Sequence, residues 1–223
     1  MKNTNRGNSK VMKISIYLLC LVILPFGTKL VAQSGDGNRE RVVFGAKAGL
    51  NYSNAWDRQG ENFNSDAKAG FAGGVFLGIP IGKFLGVQPE LLISQEGFKG
   101  EGTLFGSEYS FKRTTTYLNV PLQFQLKPVE FLAIVAGPQY SFLLNERNNY
   151  NFGSTGILQE QEFDNENIRK NNLGFVGGAD IIISHLVISG RLGCDFLHNN
   201  GDGTSSTPKY KNRWIQLTVG FIF

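Results

Sequence analysis

Cysteine is nearly absent from this chain. There are two cysteines among 223 residues, Cys20 and Cys194, and Cys20 lies in an N-terminal segment that we predict to be removed. A single remaining cysteine excludes a disulfide within the chain and a cysteine-based metal cluster. A lipid anchor on Cys20 is not expected, because Leu19 is not small and the apolar run continues past the cysteine.

Long hydrophobic runs are also missing. The longest apolar run covers residues 14–26, which is shorter than the ~20 residues of a membrane-spanning helix. It follows a basic start and precedes the small residue Ala32, an arrangement typical of a secretory signal peptide. We therefore predict a signal peptide at 1–32 that is cleaved near Ala32, a short periplasmic segment at 33–41 and one domain at 42–223.

An excess of positive charge is absent from the exported part. The chain has 22 Lys and Arg against 18 Asp and Glu, but five of the cations precede residue 33. The remaining 17 basic and 18 acidic residues give a net charge of −1, so nothing favours nucleic-acid binding. A hydrophobic fraction of 41% with 28 glycines and 18 phenylalanines excludes a disordered chain and favours strands.

Apolar and polar residues alternate with a period of two in eight segments after residue 41. The clearest is 118–126, in which the even-numbered residues are apolar and the odd-numbered ones are polar or small except for Pro121. Since successive side chains of a strand point to opposite faces, each segment predicts a strand with one apolar face. We predict eight strands of about 10 to 14 residues, long enough to cross a bilayer at a tilt.

The connections between these segments alternate in length. Short joints lie near 80–84, 127–130 and 184–186, and long polar joints lie at 54–68, 98–114, 145–171 and 198–212. This is typical of an all-β, eight-stranded antiparallel transmembrane β-barrel with up-and-down meander topology. Because proline lacks the N–H of a ladder, we expect bulges or register breaks at Pro89, Pro121 and Pro138.

A soluble eight-stranded barrel of the lipocalin kind has the same periodicity with the apolar face inside. The chain terminus favours the membrane barrel, because residues 215–223 alternate and end on Phe223, like the signal that the β-barrel assembly machinery recognises. We therefore expect even-numbered residues of 116–126 and odd-numbered residues of 215–223 to face the lipids of the outer membrane of a Gram-negative bacterium.

Four tracts resemble the PorT-like outer-membrane β-barrel family of Bacteroidota. They are FGAKAGLNYS at 44–53, LGVQPEL at 85–91, YLNVPLQ at 117–123 and AGPQYS at 136–141. The resemblance implies the fold and the location, and one branch of that family assists a secretion system. It implies no functional residues, because the shared tracts lie in the predicted strands.

Five charged residues fall on the inward faces of the predicted strands: Lys47, Glu90, Asp180, Arg191 and Asp195. Buried charges persist when they are paired and hydrogen-bonded, so we interpret them as a structural charge network of the lumen, with an ion path as the alternative. Arg191 and Asp180 are predicted to stand opposite each other and to form the closest pair. An eight-stranded barrel is narrow enough to be filled by such side chains, which disfavours a pore.

Evidence for catalysis is thin. Asp195 could orient His198 as a general base at the rim, with Asp202, Ser205 and Ser206 in the following loop, but these are ordinary loop residues. We predict no catalysis, no cofactor and no metal, and a binding, structural or secretion-accessory role. The alternatives are a small outer-membrane pore and a rim hydrolase or acyltransferase that uses His198 with Asp195.

The expected partners are outer-membrane lipids, the β-barrel assembly machinery during insertion and an extracellular or secretion-system protein. The long segment 145–171 carries Tyr150, Phe152 and Phe163 among acidic residues, and aromatic side chains in a polar loop can anchor a protein partner. A monomer is expected.

Overall fold

The structure, a computed structural model, describes residues 40–59, 64–104, 107–152, 159–161, 169–199 and 209–223. All of them belong to one compact unit, Gly37–Phe223. The predicted signal peptide and its cleavage site lie outside the described residues, as do Phe163, Asp202, Ser205 and Ser206. The part of the chain that is described contains no helix long and apolar enough to cross a membrane.

The described residues form an antiparallel meander. The strands are β1 (Val43–Gln59), β2 (Asn64–Pro80), β3 (Leu85–Leu104), β4 (Ser107–Val129), β5 (Leu132–Phe152), β6 (Gln159–Gln161), β7 (Asn171–Ile183), β8 (Leu186–Asp195) and β9 (Lys209–Ile222). Neighbouring strands pair in chain order except that β7 pairs with β5, on which the short β6 also lies, and β9 pairs with β1. Eight strands therefore close into a barrel, and the predicted fold is confirmed.

The first five strands are longer than predicted. They contain 17 to 23 residues, whereas β7, β8 and β9 contain 13, 10 and 14. Most of the predicted loop 98–114 is ladder, with Phe98 opposite Arg113 and Leu104 opposite Ser107. Strand also continues through parts of 54–68 and 145–171. Beyond the apolar band the outer face of a strand meets water, so the alternation that marks a membrane strand is lost there.

The apolar side chains point out of the barrel. On β4, Leu122 is 47% exposed and Phe124 67%, whereas Gln123 between them is fully buried. The odd-numbered residues of 215–223 are exposed in the same way, while Trp214, Gln216 and Thr218 are buried. A lipocalin-like barrel would bury the apolar set inside, so this arrangement excludes that alternative and fits the membrane barrel.

The register breaks predicted at the prolines do not occur. Pro89 lies opposite Leu122, Pro121 opposite Gln139 and Pro138 opposite Phe175, and none of the shifts lies at a proline. The shifts fall elsewhere, for example between Ala67 and Ala72 of β2. A proline removes one hydrogen-bond donor but adds no residue, so the residue count of the ladder is unchanged.

Gly97 occupies a conformation that few other residues adopt. Its φ is 147°, and its N–H donates to Ser53 Oγ at 2.8 Å while its carbonyl accepts from the same hydroxyl at 2.9 Å. A Cβ at this position would collide with the carbonyl oxygen of Arg113. The positive φ and the close approach of the neighbouring strand therefore both require glycine at position 97.

We expect Gly97→Ala to lower the free energy of unfolding by about 1–3 kcal/mol because of this backbone strain. Urea unfolding of the protein in lipid vesicles, followed by tryptophan fluorescence, measures the change. Gly82→Ala is the matched control, because an added Cβ there meets nothing within 4 Å. Equal midpoints for the two variants would contradict the prediction.

Candidate functional site: the lumen of the barrel

Four charged side chains meet inside the barrel. Lys47 Nζ lies 2.6 Å from Glu90 Oε2, and Arg191 Nη2 lies 3.4 Å from Glu90 Oε1. Arg191 also binds both oxygens of Asp180, at 2.8 and 2.9 Å. All four residues are buried. Two cations therefore face two carboxylates, which leaves this cluster, called here the charge cluster, electrically balanced.

The pairing of Arg191 with Asp180 differs in register from the predicted one. Arg191 stands opposite Gly178, and Asp180 stands opposite Ser189, so the two residues are diagonal neighbours rather than direct partners. The prediction placed the centre of the β7–β8 turn too far along the chain. It was also wrong in making these two residues the closest pair, because Lys47 and Glu90 lie closer, at 2.6 Å against 2.8 Å. The arginine side chain is long enough to reach a diagonal neighbour, and the two backbones come close at Gly178, where a Cβ would meet the carbonyl oxygen of Gly190.

Asp195 does not join the charge cluster, which corrects the predicted set of five. Its Oδ2 accepts hydrogen bonds from Asn212 Nδ2 at 2.9 Å and from the Asn212 backbone N–H at 3.3 Å. Asp195 follows Arg191 by four residues on β8, which is about 13 Å along a strand. It therefore shares the inward face of the cluster but lies at another height in the lumen.

Two glutamines complete the charge cluster and were not predicted as site residues. Gln88 Nε2 donates to Glu90 Oε1 at 2.7 Å and lies 3.4 Å from Asp180 Oδ2, and Gln125 donates to Gln88 Oε1. Both occupy inward positions of their strands, so period-two alternation did identify their face. The sequence signal that could have identified them is an amide side chain on the same face as the buried charges. Such an amide can donate to carboxylate lone pairs that the ion pairs leave free.

A second cluster lies toward the end of the lumen opposite the short turns. Arg113 lies 3.2 Å from Glu146 Oε1 and donates to Asn148 Oδ1 at 2.8 Å and to Tyr210 Oη at 3.1 Å. Tyr210 packs edge-to-face on Phe98 at 4.9 Å between ring centroids. We call these five residues the outer cap. The sequence did not predict the cap because all five residues fall in the segments 98–114, 145–171 and 198–212, which were expected to be loops.

The other end of the lumen is an open cavity. It has a volume of about 380 Å³ and lies beside the short turns, where Phe76, Lys127 and Val187 contribute to its walls. Gln88, Gln125 and Asp180 also line it, so the cavity extends inward as far as the charge cluster. Among the described residues, the charge cluster and the outer cap therefore lie across the lumen, with this cavity at the turn end.

The residues of the predicted rim site have other contacts in the structure. Asp195 Oδ2 binds Asn212, and the His198 carbonyl accepts a hydrogen bond from Arg169 Nε at 2.9 Å. Asp202, Ser205 and Ser206 of the same predicted site lie outside the described residues. His, Cys, Asp and Glu side chains form no group of three or more suited to a metal ion in the described ranges.

Three solved structures are among those similar to this chain. Neisserial surface protein A is 11% identical, with 81% of this chain and 97% of that chain covered and a TM-score of 0.45. Ail of Yersinia pestis is 14% identical over 82% and 99% at a TM-score of 0.44. OprG of Pseudomonas aeruginosa is 13% identical over 84% and 98% at a TM-score of 0.44.

No curated protein matches the sequence. A family model described as "Outer membrane protein beta-barrel domain" matches residues 31–194, which is more than half of the chain. The chain therefore belongs to this family of outer-membrane β-barrels and, as the family implies, to the outer membrane of a Gram-negative bacterium.

Proposed function

We propose that the protein is a binding or secretion-accessory barrel that contacts a protein partner outside the cell, and that it neither catalyses a reaction nor conducts solutes. The observation that carries the proposal is the unequal height of the barrel wall. With the short turns in the periplasm, as in barrels of this kind, the long ends of β3, β4 and β5 project on the extracellular side.

The projecting part is a continuous sheet. The β3–β4 ladder runs to Leu104 opposite Ser107, and the β4–β5 ladder runs to Tyr109 opposite Phe152. We call this extracellular part of the three strands the raised wall. A hydrogen-bonded sheet presents side chains in fixed positions, which lowers the ordering cost of binding compared with a loose loop.

The outer face of the raised wall carries cations. Lys99 and Lys112 are exposed and stand directly opposite each other. Asp66 is the cross-strand neighbour of Lys99 on β2. Like charges in direct cross-strand contact destabilise a sheet, and an acidic surface docked against them relieves the repulsion and steers association. The proposed partner surface is therefore acidic.

The two side-chain clusters of the lumen support the part of the proposal that concerns conduction. The charge cluster and the outer cap both lie across the lumen, and opening a path requires breaking buried ion pairs, which is costly. The resemblance to the PorT-like family supports a secretion-accessory role over a purely structural one. A pore and a rim hydrolase with His198 and Asp195 are the alternatives that the experiment below separates.

The test is site-specific photo-crosslinking in intact cells. A photoreactive residue at Lys112 is expected to give a protein adduct that Lys99→Glu diminishes, whereas a photoreactive residue at lipid-facing Phe124 is expected to give none.

Purified protein in planar bilayers is expected to show no channel steps, and His198→Ala is expected to leave an activity screen on peptides and lipids unchanged. Stable channel steps, or adducts at Phe124 alone, would contradict the proposal.

A further inference from the structure

A groove lies on the lipid-facing side of the barrel, where β2, β1, β9 and β8 adjoin. Its volume is about 380 Å³, and Tyr52, Ile215, Leu192, Arg213 and Asn54 are among its lining residues. Ile215 stands between Tyr52 and Leu192 in one cross-strand row, and all three are more than half exposed. This row forms an apolar floor that continues the surface facing the acyl chains.

The next row outward changes from apolar to cationic. Arg213 stands between Asn54 and Cys194, two short residues that leave the exposed guanidinium room to move. No ion pair in the described part of the chain involves Arg213. One step further, Lys211 Nζ lies 5.5 Å from the centre of the Trp56 ring. Going outward from the apolar floor, the surface therefore carries first the cation Arg213 and then the pair of Lys211 and Trp56.

The height of Arg213 matches the edge of the membrane. The outward residues from Phe223, just after β9, back to Ile215 are all apolar and exposed, and Arg213 is the first charged residue after them on this face. Ten residues at about 3.4 Å each, on a strand tilted by about 40°, rise about 26 Å, close to the ~25 Å apolar band of such barrels. With the short turns in the periplasm, the guanidinium lies at the headgroups of the outer leaflet.

We infer that this groove binds a phosphorylated glycolipid of the outer leaflet. A phosphate group binds Arg213, whose planar fork fits two phosphate oxygens, and an acyl chain lies along Tyr52, Ile215 and Leu192. The groove fits a lipid that has both a phosphate group and an acyl chain, because Arg213 and the apolar floor are adjacent. They also lie at the depth of the membrane where lipid headgroups meet acyl chains. The inference depends on the membrane placement and is independent of the proposed protein partner.

The test is native mass spectrometry of the detergent-solubilised mature protein titrated with diphosphoryl lipid A. We expect Arg213→Gln to weaken lipid retention about tenfold, as loss of a charge-assisted contact of about 1.4 kcal/mol does. Arg213→Lys is expected to weaken lipid retention less, because lysine keeps the positive charge but lacks the planar guanidinium that binds two phosphate oxygens. Lys170→Gln is the matched control, since Lys170 is an exposed cation outside the groove, and its retention should equal that of the unchanged protein.

A second arm separates the lipid source and the role of the floor. Dephosphorylated lipid A should bind the unchanged protein as weakly as diphosphoryl lipid A binds Arg213→Gln, and Leu192→Ser should weaken both lipids. Phosphatidylglycerol is expected to bind more weakly than diphosphoryl lipid A. Equal retention by Arg213→Gln and Lys170→Gln would overturn the site, and preference for phosphatidylglycerol would overturn the choice of a glycolipid. Crosslinking at the raised wall is unaffected by either result.

Discussion

Replacing Arg191 with methionine is expected to lower the free energy of unfolding by about 3–5 kcal/mol, because it leaves a buried carboxylate without its cation. Asp180 is 2% exposed and takes both of its short ionic contacts from Arg191. Glu90 is affected less, since it keeps Lys47 at 2.6 Å. Urea unfolding in lipid vesicles gives the free energy, and loss of the heat-modifiable band on gels gives an independent midpoint.

The double variant Arg191→Met with Asp180→Leu is the control for this prediction. It removes one cation and one carboxylate together and leaves the pair of Lys47 and Glu90 intact. Apolar replacements of a whole buried ion pair are often neutral or stabilising, so most of the lost stability should return. A double variant as unstable as the sum of its single variants would show that the two side chains act independently.

Replacing Leu122 with lysine is expected to cost about 2–4 kcal/mol, because it places a charge on the lipid face near the middle of the bilayer. Leu122 is the central one of five outward apolar residues on β4, between Leu118 and Leu126. Leu217→Lys on β9 is expected to behave in the same way, since Leu217 is 61% exposed on the same surface. The folded fraction on gels after refolding into vesicles measures both variants.

Thr114→Lys is the matched control for the lipid face. Thr114 lies on the outward face of the same strand, eight residues beyond Leu122 and past the apolar band, where a lysine costs about 0–1 kcal/mol. Gln123→Lys is not a suitable control, because Gln123 is fully buried in the lumen and its amide has no hydrogen-bond partner among the described residues. Equal losses for Leu122→Lys and Thr114→Lys would contradict the predicted membrane position.

The strands of the membrane band, and the face on which each of their residues lies, follow from the order of residues along the chain. Alternation at 118–126 and 215–223 predicted which residues point outward, and the structure exposes the apolar set and buries residues such as Gln123 and Trp214. This information is local, because adjacent side chains of a strand always point to opposite faces. The same information placed Lys47, Glu90, Asp180 and Arg191 inside the barrel.

The position of each residue along the barrel axis, and the residue that lies across from it on the next strand, depend on the tertiary structure. Register depends on how many residues a turn takes, which is why Arg191 lies opposite Gly178 and reaches Asp180 diagonally. Height along the barrel axis separates Asp195 from the charge cluster, and the raised wall exists because β3, β4 and β5 keep pairing where their outer faces meet water. The periodicity of the sequence predicts neither the height of a residue nor its cross-strand partner, because it specifies only the face of the strand on which a side chain lies.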